Sequence, residues 1–243
     1  MLGLPDTIRA CLFDLDGVLT QTAKVHQAAW KQTFDELLRT RDGEDFTPFS
    51  AADYNEYVDG KPRLDGVRDF LGSRDIELDE GDADDGPDAD TVAGVGNRKN
   101  VLLLEQIDEH GVDAYEGSLR YARAVRDAGL LAAVVTASAN GEQVIAAAGF
   151  ADLVTARIDG VVAAEDNLRG KPAPDSFLAG ARALGVAPSE AAVFEDALAG
   201  VAAGRAGNFG FVVGVDRVGQ ADALRERGAD LVVADLDELL DRR

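Results

Sequence analysis

Apolar residues along this chain fall in short runs separated by longer stretches with helical periodicity. The runs at Ala10–Asp14, Leu131–Thr136, Val193–Asp196, Phe211–Val215 and Leu231–Val233, with a weaker one near Leu153–Ala156, read as strands buried on both faces. The segments between them read as helices. One spans 117–128 and stops at Gly129; another opens on Pro174 and ends at Gly185, the asymmetry a helix prefers. Strand alternating with helix predicts an α/β fold, a Rossmann-like doubly wound parallel sheet.

One connection breaks the rhythm. More than a hundred residues separate the first strand from the second, far too many for a crossover. Much of that stretch is amphipathic: Val25, Ala29, Thr33 and Leu37 share one i+4 row, and Trp30, Phe34 and Leu38 its neighbour. A second helical pattern runs over 97–110. The expected organisation is a core of residues 1–21 and 114–243, with residues 22–113 inserted as a helical cap domain. Within the insert, "ELDEGDADDGPDAD" (77–90) is acidic throughout and predicts a mobile, solvated loop.

The strand ends carry the candidate chemistry. In an open parallel sheet, ligands bind outside the carboxyl ends of the strands. Asp14 closes "CLFD", Asp196 closes "VFED" and Thr136 closes "AVVT". Carboxylates crowded in one crevice repel each other, and a hard dication such as Mg²⁺ relieves the conflict. Lys171, in "GKPAPD", offers a cation on a proline-stiffened backbone, and Gly17 permits a sharp turn after Asp16.

Composition narrows the partners. The chain has 24 basic and 45 acidic residues, a formal charge of −21, which excludes non-specific nucleic-acid binding and disfavours anionic membranes. No apolar run is long enough to span a bilayer, and the single cysteine, Cys11, allows no internal disulfide. A cytoplasmic monomer is expected. An anionic substrate would need local cations or a metal to overcome the global field.

"FDLDGVLT", "VVTAS", "GKPAPDSF" and "VFEDALAG", in that order, resemble the four motifs of the haloacid dehalogenase superfamily, in its β-phosphoglucomutase-like branch. That resemblance covers nearly the whole chain. It implies Mg²⁺-dependent phosphoryl transfer through an aspartyl-phosphate, with a small phosphorylated sugar as substrate. Asp14 would be the nucleophile and Asp16 the general acid/base. Thr136 and Lys171 would stabilise the phosphoryl group, and Asp14, the Asp16 carbonyl, Glu195 and Asp196 would hold the metal. In the cap, "VHQAAW" resembles a segment whose histidine, here His26, couples sugar binding to closure, with Trp30 beside it. Gly60, Arg63 and Lys99 match residues that grip the substrate, and Ser138 and Asn140 are further donors. The branch implies interconversion of β-glucose 1-phosphate and glucose 6-phosphate, or hydrolysis of a small sugar phosphate. Three positions depart from the branch pattern: Gln21 where aspartate is common, Ala139 where a lysine is found, and Ala197 where serine is common.

Overall fold

The computed structural model describes residues 2–242; Met1 and Arg243, included in the expected core segments, lie outside the described residues. Two compact units emerge, Met1–Gln21 with Val112–Arg243, and Thr22–Gly111.

The first unit is built on six parallel strands: β1 (Ala10–Phe13), β2 (Leu131–Val135), β3 (Ala156–Ile158), β4 (Ala191–Glu195), β5 (Phe211–Val215) and β6 (Leu231–Val233). Their order is β3-β2-β1-β4-β5-β6, the doubly wound arrangement. Strand β1 is central: Leu12 pairs in register with Ala133 on one side and Val193 on the other. Every residue of β1 and β4 is buried, and their patterns are continuously apolar, up to Glu195 at the end of β4, rather than alternating. Leu12 and Val193 pack on one face against Phe177, Val201 and Ala203. On the other, Phe13 stacks on Phe194, with Tyr121 edge-on to Phe13.

Within this unit the sequence of helices is α5 (Glu116–Asp127), α6 (Gly141–Ala147), α7 (Gly160–Glu165), α8 (Asp175–Ala183), α9 (Leu198–Ala206) and α10 (Ala221–Glu226). Helix α5 stops where Gly129 takes φ +75°, as its sequence predicts. The expected strand near Leu153–Ala156 is displaced. Leu153 closes a short 3₁₀ turn, and the ladder begins with the Thr155 N–H donating to Ala132 (2.7 Å) before Ala156 pairs with Ala133. Strand β3 is an edge strand, half-exposed and interrupted by Arg157, so its apolar signal is weak.

At the point where the chain leaves this unit, the Gln21 N–H donates to the Asp113 carbonyl (2.8 Å), Thr20 bridges Ala114, and the Gln21 amide reaches Ala114 O (3.4 Å).

The second unit contains α1 (Thr22–Asp42), α2 (Ala51–Asp53) running into a π turn (Tyr54–Val58), α3 (Arg63–Ser73) and α4 (Val92–His110). Its core is aromatic: Phe34 lies 4.1 Å from Phe70 and 5.1 Å from Phe49 between ring centroids, and stacks on Trp30 at 5.0 Å. Helix α4 begins five residues before the expected 97. Thr91 caps it by accepting from the Gly94 N–H (3.0 Å). Gly94 and Gly96 hide the helix in the sequence by their low propensity. Gly94 is needed there, since a Cβ would stand 2.3 Å from the Ala89 carbonyl. The acidic segment is solvated as expected, yet it is tied down. Asn97 donates to the carbonyls of Ala83 and Asp85, and Arg98 to that of Pro87. No described helix is long and apolar enough to cross a membrane.

Candidate active site

The carboxyl ends of three adjacent strands, β2, β1 and β4, carry Thr136, Asp14 and the Glu195–Asp196 pair. The Asp14 N–H extends the ladder by donating to Phe194 O (2.9 Å), so the nucleophile candidate sits on sheet backbone rather than on a free loop. Asp14, Glu195 and Asp196 are all buried, and each offers an oxygen within 4.8 Å of the others'. Lys171 lies among them. Its ammonium donates to Asp14 Oδ1 (2.5 Å), Glu195 Oε1 (2.5 Å) and, longer, Val135 O (3.3 Å), above the Phe177 ring. A lysine is ordinarily a solvated residue; this one is 4% exposed.

Glu195 is wedged beneath the start of α9. Its Oε2 accepts from the Ala197 N–H (2.9 Å), and a Cβ at Gly200 would stand 1.7 Å from Oε1. The Ala197 contact is a backbone one, so it needs no side-chain hydroxyl at that position. Gly17 has the same kind of necessity: φ is +93°, and a Cβ would overlap Asp196 Oδ2 at 1.8 Å.

Asp16 is half-buried, and its Oδ2 accepts from the Thr136 hydroxyl (3.2 Å). The loop after β2 folds back on that hydroxyl, with the Ser138 N–H donating to Thr136 Oγ1 (3.1 Å) and the Asn140 N–H to Ser138 Oγ (3.2 Å). Ala139 is exposed.

Burial pushes the Asp14 carboxyl well above the usual carboxylate range; Lys171 pulls it back, and Glu195 and Asp16 push it up again. Burial alone would depress Lys171, but Asp14 and Glu195 reverse that and hold it protonated. One ammonium among three buried carboxylates leaves the cluster negative. Hard oxygen donors with excess charge are what a small divalent ion requires, so the residues present fit a magnesium-type cation.

The second unit gathers its own set. The Lys99 ammonium, 4% exposed, lies 3.0 Å from His26 Nδ1 and 5.2 Å from the centroid of the Trp30 ring. An ammonium can only donate, which leaves Nδ1 as acceptor and puts the imidazole proton on Nε2. Arg63 opens α3 and forms a separate pair, Nη2 donating to Asn97 Oδ1 (3.1 Å). Its Nε is buried without a protein partner, and burial lowers its pKa. Gly60 takes φ +71° in the turn before α3.

Sequence reasoning missed Arg217, just beyond β5, whose guanidinium donates to Gly17 O (2.9 Å). Its only sequence signal is position, after the end of an expected strand.

Residues 8–208 match the model of the haloacid dehalogenase-like hydrolases. The chain is 57% identical to a β-phosphoglucomutase of Mycobacterium tuberculosis over 99% of its own length and 94% of the relative's. It is 28% identical to hexitol phosphatase A of Escherichia coli, over 94% and 91% of the two chains. A solved β-phosphoglucomutase from Clostridium difficile superposes with a TM-score of 0.77 at 25% identity, covering 96% of this chain and 93% of that one.

Proposed function

We propose that this chain, which belongs to the haloacid dehalogenase-like hydrolase family, is a Mg²⁺-dependent phosphoryl-transfer enzyme of the β-phosphoglucomutase type. It would interconvert β-glucose 1-phosphate and glucose 6-phosphate in the cytoplasm, as a monomer. The observation that carries the chemistry is the buried Lys171 bridging Asp14 and Glu195 at the carboxyl end of the sheet.

Asp14 attacks phosphorus with the carboxylate oxygen that Lys171 does not hold. The new bond joins that oxygen to phosphorus, and the bond from phosphorus to the sugar oxygen breaks. Asp16 delivers a proton to the departing oxygen, then takes one from the incoming hydroxyl as the phosphoryl group moves on. Lys171 fixes the carboxylate's orientation and opposes the charge that gathers on the phosphoryl oxygens. The Thr136 hydroxyl, on Asp16 in this state, donates to a phosphoryl oxygen when substrate arrives, as does Ser138 or Asn140. Asp14, the Asp16 carbonyl, Asp196 and Glu195 would hold Mg²⁺, whose charge would screen the repulsion between anionic nucleophile and anionic substrate.

A mutase passes through a bisphosphorylated sugar and so needs a second anion site. Arg63, with its unpartnered Nε, and Lys99 on His26 are suited to that work, with Trp30 and Gly60 shaping the surroundings. The relative at 57% identity bears the mutase name. Ala139 favours a second reading, a sugar-phosphate phosphatase, because the position lacks a cation that would grip the transferring group.

Offered β-glucose 1-phosphate, Mg²⁺ and a trace of glucose 1,6-bisphosphate, the enzyme should yield glucose 6-phosphate with little free phosphate. Stoichiometric phosphate release would establish the phosphatase instead. R63A should impair isomerisation far more than hydrolysis of an aryl phosphate; equal effects would count against a second anion site.

A further inference from the structure

The loop after β5, residues 216–220, reaches both catalytic strand ends. Asp216 Oδ1 ties it into a tight turn by accepting from the N–H groups of Val218 (3.3 Å), Gly219 (2.7 Å) and Gln220 (2.8 Å). Gln220 then donates through Nε2 to the carbonyl of Asp196 (3.0 Å). Arg217 turns the other way. Its Nε donates to Gly17 O (2.9 Å) and its Nη2, at longer range, to Val18 O (3.4 Å). The guanidinium is itself over-determined. Nη1 donates to Ala234 O (2.7 Å) and to Asp235 Oδ2 (2.8 Å), and the group lies 3.6 Å from the centroid of the Tyr115 ring. Ser118, fully buried on α5, adds a bond from its hydroxyl to Val18 O (2.6 Å).

The two carbonyls held by Arg217 belong to the residues immediately after Asp16. The turn closes on itself, with the Gly17 N–H donating to Thr20 O (2.8 Å) and the Leu19 and Thr20 N–H groups to Leu15 O (3.0 and 2.9 Å), while Gly17 sits at φ +93°; Arg217 ties the outward-facing Gly17 carbonyl to the loop after β5. We propose that Arg217 is a positioning residue for Asp16: by holding the Gly17 and Val18 carbonyls, it fixes the backbone from which the Asp16 carboxyl reaches the leaving oxygen. This rests on the role given to Asp16 above. A planar fork with fixed donors suits the task, because two carbonyls on successive residues are held at once; a lysine would supply one mobile point of charge. A group displaced by a fraction of its length loses much of its effect on proton transfer, while in-line attack by Asp14, held separately by Lys171 and the β1 ladder, continues.

The discriminating property is the leaving group. A sugar alkoxide needs its proton delivered; a dinitrophenolate departs without one. In the first turnover, before Asp16 is needed as a base, R217M should slow cleavage of glucose 1-phosphate by about 10²-fold, the scale of a misplaced catalytic group, while dinitrophenolate is released from dinitrophenyl phosphate within about threefold of the wild-type rate. R217K should fall between on the sugar phosphate, and it replaces R217M in the comparison if circular dichroism shows the methionine variant unfolded. In a D16N background, R217M should add little, since the group it positions is already disabled. Equal losses on both substrates, or an undiminished loss in the D16N background, would mean that Arg217 merely pins the chain's C-terminal segment, and the inference fails. A D16N enzyme that is itself indifferent to the leaving group overturns the role of Asp16, and this inference with it. A selective D16N beside an unselective Arg217 variant overturns this inference alone.

Discussion

Lys171 satisfies two buried carboxylates with one ammonium, so removing it separates two effects that usually move together. K171M leaves Asp14 and Glu195 facing each other without a cation, and breaking such a pair costs about 3–5 kcal/mol in metal-free protein. The more negative cluster should bind Mg²⁺ more tightly while turnover falls. Calorimetric titration beside steady-state rates checks this, and weaker Mg²⁺ binding would contradict it. Asp14 supplies a pH dependence of definite sign. Its folded-state pKa lies above the unfolded one, so in metal-free protein it favours the folded state at low pH, and that contribution disappears as pH rises through the raised value. Magnesium needs the ionised carboxylate and reverses the trend. The rise in melting temperature on adding Mg²⁺ should therefore grow with pH, and metal binding should release protons. D14N should lose the proton release and all phosphoenzyme trapping by beryllium fluoride.

At the scale of elements, the site depends on how closely α9 approaches the end of β4. Gly200 is the point of closest approach, and Glu195 fills the space a methyl group would occupy. G200A should push Glu195 off Lys171, lowering both turnover and melting temperature, whereas G72A on an exposed face of α3, where a Cβ meets nothing within 4 Å, should raise helix stability by up to about 1 kcal/mol. Thermal melts of the two variants side by side test the contrast. Strand ends explain why so much of the core was readable from sequence. Asp14, Thr136 and Asp196 stand where apolar runs stop, and an apolar run in a parallel sheet has few ways to stop other than at a ligand. Strand β3 misled because an edge strand need not be apolar, and the start of α4 because Gly94 answers to packing against Ala89, and Gly96 to packing against Leu64, rather than to helix propensity. Arg217 was invisible for a different reason. Its partners in the turn after Asp16 are main-chain carbonyls about two hundred positions away, and a carbonyl leaves no mark in a sequence.

For the whole molecule, a formal charge of −21 sets opposing demands on the two proposed ligands. The field draws Mg²⁺ in and holds phosphorylated sugars off. Added potassium chloride should therefore weaken Mg²⁺ binding, yet at saturating Mg²⁺ it should raise kcat/KM for a sugar phosphate by screening the repulsion. A fall in both would show that local cations such as Arg63 and Lys99 dominate the approach. The bonds that lace Thr20 and Gln21 to Asp113 and Ala114 have a longer reach than the reaction itself. A chain that departs and returns through one doorway, stitched shut on the sheet's side, carries everything between as a cassette. Evolution can lengthen, trim or exchange that excursion without asking a single strand to change its register.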